Sequence, residues 1–204
     1  MATMAANVTQ DTGRELRRIV RTNEEIKSVV ARAFKINLMA MNAIFLAKRA
    51  GQSALGFGVL SNELRRFAMD LQKQMTLLRE MTYGSVATVT ALVKQARMNR
   101  VLERARKETT GMGRSIIDEF LRNRHGQAYA RHSEPIRALN RRLTQMIGDT
   151  TQLVELGSVL ARSAKIEAAY GGPFSASLMQ VSSDFERTIG EIQRSLESLS
   201  KQQD

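Results

Sequence analysis

The chain has 204 residues and a formal net charge of +11, with 43% hydrophobic but only 5% aromatic residues, two prolines, no tryptophan and no cysteine. That length holds one sizeable domain or one elongated bundle, and the composition suits long helices packed through Leu, Ile, Val, Met and Ala better than a sheet. Without cysteine, disulfides, thiolate nucleophiles and cysteine-held metals are excluded. Charged residues interrupt every apolar run before the roughly 20 residues that span a bilayer, and Met1 to Thr12 does not read as a secretory signal. The expected compartment is the cytoplasm.

The first predicted helix carries Leu16, Ile19, Ile26, Val30, Ala33, Ala40, Ile44 and Ala47 at heptad-like steps, with Asn23 and Asn37 interrupting the seam. Asp11 or Thr12 is placed to cap its start, and Gly51 to stop it. Gly51 to Gly56 reads as a tight connection, since glycine tolerates backbone angles that other residues resist. A second helix follows through Leu60, Leu64, Phe67, Leu71, Leu78 and Met81, and weakens around Gly84, Ser85 and Thr88.

Thr109 to Gly113 reads as the next break, and Arg114 to His132 as helical but irregular. Ser133 and Pro135 give a helix-start signal. The third seam runs Ile136, Leu139, Leu143, Met146, Leu153, Leu160 and Ala164, with Thr150 and Gly157 in the gaps, and ends at Gly171-Gly172-Pro173. The fourth carries Leu178, Val181, Phe185, Ile189, Ile192, Leu196 and Leu199. The expected fold is all-α, with long antiparallel helical hairpins forming a four-helix bundle or coiled coil. Its divisions are a flexible N-terminus over 1–13, a hairpin over 14–108, a basic irregular connector over 109–133 and a second hairpin over 134–204 packing on the first. Self-association into a dimer of hairpins is the competing arrangement.

The charge is concentrated. Between Lys94 and Arg142, thirteen Lys/Arg face five Asp/Glu, with Lys94, Arg97, Arg100, Arg104, Arg106 and Lys107 at helical spacing. A solvated helical surface is the ordinary reading; nucleic acid, anionic lipid or an acidic protein face are the partners such a patch attracts. His125 and His132, the only histidines, have no cysteine and only Glu134 nearby, which is too little for a metal site. Gly111-Met112-Gly113 lacks the glycine and lysine of a phosphate-cradling loop. No cofactor, small-molecule substrate or enzymatic activity is expected.

Phe34 to Ala68 reads FKINLMAMNAIFLAKRAGQSALGFGVLSNELRRFA. Without gaps, it resembles the signalling hairpin tip of methyl-accepting chemotaxis proteins, sharing Phe34, Asn37, Leu38, Ala40, Asn42, Ala43, Ala47, Arg49, Ala50, Gly51, Gly56, Phe57, Val59, Glu63, Arg65 and Ala68. The resemblance implies a bacterial helical tip that contacts a chemotaxis-type histidine kinase and its coupling protein, or other receptor-like helices. It places Phe34, Leu38, Met41, Asn42, Leu46, Arg49 and Val59 on the contact surfaces, and Glu63 and Arg65 as a charged pair after the turn. The family's Glu residues are Leu46 and Gln52 here, and Leu55 is added, so this tip is greasier and is expected to serve a dedicated apolar partner or a different self-assembly. Glu24-Glu25 only partly matches the family's methylation pattern. A shorter echo at Ile166-Glu167-Ala168-Ala169, followed by Gly171, Gly172 and Phe174, implies an internal duplication and a built-in pseudo-dimer. The function expected is that of a signalling or adaptor protein; the alternative is a structural scaffold docked through its basic centre.

Overall fold

A computed structural model describes residues 2–201, and the side chains of these apart from 2–16, 85, 92, 96 and 123–136. The protein is all-α. Helix α1 spans Ala2–Ala50, a 3-10 turn Gly51–Ala54, α2 Leu55–Glu108, α3 Met112–Ala169, a second 3-10 turn Gly172–Phe174 and α4 Ser175–Lys201, with no strand among the described residues. The chain reverses where glycine adopts positive φ: 69° at Gly51, 64° at Gly111 and 55° at Gly172. A side chain there would press its Cβ against the backbone, which is why no other residue in the described chain takes that conformation.

Two compact units result, one of residues 2–21 and 80–142, the other of 22–79 and 143–201. In the first, Arg18 donates to the Asn140 side-chain oxygen at 3.1 Å, Arg106 pairs with Asp118, and Val89 and Leu121 are buried.

The second unit is a four-helix bundle. Buried residues step along α1 as Ile26, Val29, Ala33, Ile36, Ala40, Ala43 and Ala47, and along α2 as Phe57, Ser61, Leu64, Ala68, Leu71, Met75 and Leu78. These alternating three- and four-residue steps are the coiled-coil period. Polar ties close the ring of helices: Arg32 of α1 to Glu191 of α4 at 3.0 Å, and Lys165 of α3 to Glu186 of α4 at 2.6 Å. Between α2 and α3 the far end of the Phe67 ring lies against Gly157, where an added Cβ would sit 2.6 Å from a ring carbon.

The bundle is internally repeated. An offset of 121 residues carries Gly51 onto Gly172, and the buried α1 positions onto Ile147, Thr150, Val154, Gly157, Ala161, Ala164 and Ala168, all buried. On the other limb Phe57, Ser61, Leu64, Ala68, Leu71, Met75 and Leu78 fall on Leu178, Ser182, Phe185, Ile189, Ile192, Leu196 and Leu199, also buried throughout. Even a surface ion pair repeats, Arg66–Glu63 at 2.9 Å and Arg187–Asp184 at 2.6 Å.

Several sequence expectations shift. α1 already begins at Ala2, so Asp11 and Thr12 lie inside it. α3 runs unbroken through 133–135, and the expected irregular segment over 109–133 reduces to a break at 109–111. A Ser-x-Pro start signal is local; good helix formers on both sides carry the helix across it, at the cost of one backbone hydrogen bond. Val30, Ile44, Leu60, Met81, Leu139, Met146, Leu153, Leu160 and Val181 are half-buried flanks, while Val29, Ile36, Ala43, Ile147 and Val154 complete the seams. The fourth seam is otherwise buried as expected. The side chains of Leu16, Ser133, Pro135, Ile136, His125 and His132 lie outside those described.

Candidate functional site

The two turns of the bundle lie together: a Cβ on Gly172 would sit 3.8 Å from the Ser53 hydroxyl. Ser53 donates to the Ala50 carbonyl at 3.0 Å, which ties the first turn to the end of α1. Gly56, expected within the turn, instead opens α2, where a Cβ would run into the Glu167 carboxylate. Gly171 is buried against Leu178, so space rather than backbone angle demands glycine there. The counterpart of Phe57 in the second hairpin is Leu178; Phe174, expected in that role, sits half-buried in the turn.

Beside this double turn, α1 presents a second apolar stripe on its outer side. Phe34, Leu38, Met41 and Phe45 are 54, 46, 38 and 61% exposed, at steps of four, three and four, in parallel with the buried seam. Leu55 and Val59 of α2 add 60 and 62%. Six large apolar side chains this open on one hairpin are more than scattered surface hydrophobics. The edge is basic, with Lys35, Lys48, Arg49, Arg65 and Arg66 exposed; Glu63 is half-buried and engaged by Arg66.

Of the residues singled out from the sequence, Phe34, Leu38, Met41, Asn42, Arg49, Val59 and Arg65 are exposed on this hairpin, whereas Leu46 is half-buried on its flank. Phe45 and Leu55 belong to the same surface. The signal for Phe45 was its step from Phe34, Leu38 and Met41, obscured because the core seam of α1 follows the same period one or two positions away.

The repeat does not copy the six-residue stripe onto the second hairpin. The 121-residue offset carries Phe34, Leu38, Met41 and Phe45 onto Glu155, Val159, Arg162 and Ile166, and Leu55 and Val59 onto Ala176 and Gln180. The first hairpin is apolar at all six positions; the second has charge or amide at three.

The methyl-accepting chemotaxis protein TlpQ of Pseudomonas aeruginosa is 35% identical to this chain over 85 residues, 40% of the chain. Part of the chain is chemoreceptor-like. The match spans 12% of TlpQ. No family model matches the chain, and no solved structure does.

The basic residues lie in the first unit: Lys94, Arg97, Arg100, Arg104 and Lys107 are exposed, and Arg106 is half-buried between Glu103 and Asp118. By length and composition alone, one stretch within 17–108 is long and apolar enough to cross a membrane. α1 is apolar on two sides around Phe34 to Phe45, buried seam and open stripe together, and only a minority of that stretch is covered.

Proposed function

We propose that this protein is a chemoreceptor-like, non-enzymatic signalling or adaptor protein of the bacterial cytoplasm, acting through protein–protein contacts at the Phe34–Val59 hairpin. The observation that carries the reading is the open stripe of Phe34, Leu38, Met41 and Phe45 beside the turn, in a chain that shares a segment with a chemotaxis receptor. Apolar knobs supply contact area, and Asn42 and Arg49, both exposed, supply the directional bonds that set register. A partner that fits has an apolar centre and an acidic edge to meet Lys35, Lys48 and Arg49. A chemotaxis-type histidine kinase with its coupling protein is the partner proposed.

The repeat adds a mechanism. One polypeptide supplies both hairpins of a bundle, and at the six equivalent positions only the first is apolar throughout, while the second exposes Leu156, Val159, Ile166 and Tyr170 in a different pattern. Such a molecule offers unlike surfaces to its two neighbours, so it caps an assembly instead of extending it. Small shifts between packing states of the Ala-lined α1 and α3 seams are the proposed means of passing a signal. The test is co-purification with a purified kinase–coupling-protein pair. Binding that is lost on Asn42→Ala or Arg49→Ala supports the surface, and binding that the two variants leave intact discards it.

A further inference from the structure

From the first unit we propose a second site, independent of the tip: the α2–α3 turn docks on an anionic lipid bilayer. The chain reverses at 109–111, and Met112, at the apex, is 83% exposed. Behind it Val101 on α2 and Ile116 on α3 are 64 and 62% exposed. Arg97, Arg104 and Lys107 stand exposed on the same stretch of α2. The neighbouring acids Glu103 and Asp118 are both engaged by Arg106, and the exposed Glu108 and Glu119 are outnumbered by the exposed Arg97, Arg100, Arg104, Lys107 and Arg114.

The combination selects the occupant. Phosphate strands would take the cations but offer nothing to an exposed Met, Val and Ile, and a second copy of the chain would bring like charge to like charge. An acidic protein would have to supply a groove to receive a hairpin apex. An anionic bilayer satisfies both parts. Its headgroups attract Arg97, Arg104 and Lys107, and its interfacial layer accepts Met112 and Ile116 at the leading edge. The site needs no change in the fold, because the apolar residues already point away from the unit.

The test is co-sedimentation of the full chain with phosphatidylglycerol–phosphatidylcholine vesicles and with phosphatidylcholine vesicles. Binding to the anionic vesicles alone is expected, weakening steeply with salt. Arg97→Glu with Arg104→Glu should lower the partition about tenfold or more. Ile116→Asp, which keeps every cation, should lower it severalfold as well. Circular dichroism checks that both variants remain helical. Phe45→Asp, at the tip, should leave vesicle binding unchanged whether or not the tip reading holds. The proposal is overturned by absence of binding to anionic vesicles, by equal binding of the charge-reversed variant, or by a loss at Phe45→Asp in place of Ile116→Asp. Binding to duplex DNA that Ile116→Asp leaves untouched, with no vesicle binding, would make the patch a nucleic-acid site instead.

Discussion

Gly51 and Gly172 hold equivalent points of two hairpins, each with positive φ, and Ser53 of one turn lies beside Gly172 of the other. A Cβ on Gly51 would meet nothing within 4 Å, so its glycine is demanded by the backbone alone. Gly51→Ala and Gly172→Ala should each destabilise the protein by about 1 kcal/mol. Gly190, within α4 and with open space where a Cβ would go, should behave oppositely: Gly190→Ala is expected to stabilise by roughly 0.5–1 kcal/mol. Urea denaturation of the three variants reads both signs.

Phe67 and Gly157 form a large–small pair between α2 and α3, and the offset positions hold Thr188 and Ile36, a medium pair. Gly157→Ala puts a methyl into the ring and should cost about 1–3 kcal/mol. Adding Phe67→Leu should recover part of that loss. A double-mutant cycle with no coupling between the two sites would show that they do not touch.

Arg32 and Glu191 join α1 to α4 at 3.0 Å, both half-buried. The Arg32 hydrogen bond holds the Glu191 carboxyl below its ordinary value; desolvation opposes this, and the charges of Arg32, Lys35 and Arg194 add to it. A carboxyl lowered in the folded state stabilises at pH above its unfolded value, about 4.3, and that contribution disappears as pH falls through the lower folded value. Wild type should therefore be more stable than Glu191→Gln near neutral pH, and the gap should close below about pH 4. Thermal melts across that range check it.

The helices and both bundle turns were legible because a heptad period and a glycine stop are local signals. The tip was legible as a resemblance, through residues such as Asn42, Arg49 and Gly51. The unbroken course of α3 was not, because Ser133 and Pro135 signal a start that the flanking helix formers override. Nor was Phe45, since one helix carrying two apolar stripes shows a single period in sequence. The repeat was visible only at the second turn, in Ile166 to Gly172. Elsewhere identities are scattered, as in Ala40 and Ala161 or Ser61 and Ser182, while Val29 and Thr150, or Ile36 and Gly157, share a position but no side-chain chemistry.

The difference between the hairpins can be removed. Glu155→Phe, Arg162→Met and Gln180→Val together copy the apolar residues of the first hairpin onto the second at exposed positions. The triple variant should keep its helicity and should gain a second binding face. Sedimentation of mixtures with the partner is expected to move from one partner per chain toward two. An unchanged stoichiometry would mean that the stripe alone does not define the face.

The most direct measurement compares the two hairpins at one pair of equivalent positions. Phe45 and Ile166 are 61 and 63% exposed, so aspartate at either should leave the bundle folded. Affinity for the kinase–coupling-protein pair, by titration calorimetry, should fall about tenfold or more for Phe45→Asp, as for a central apolar contact, and stay at the wild-type value for Ile166→Asp. Equal affinities for the two variants, or a loss confined to Ile166→Asp, would contradict the assignment of the binding face to the first hairpin.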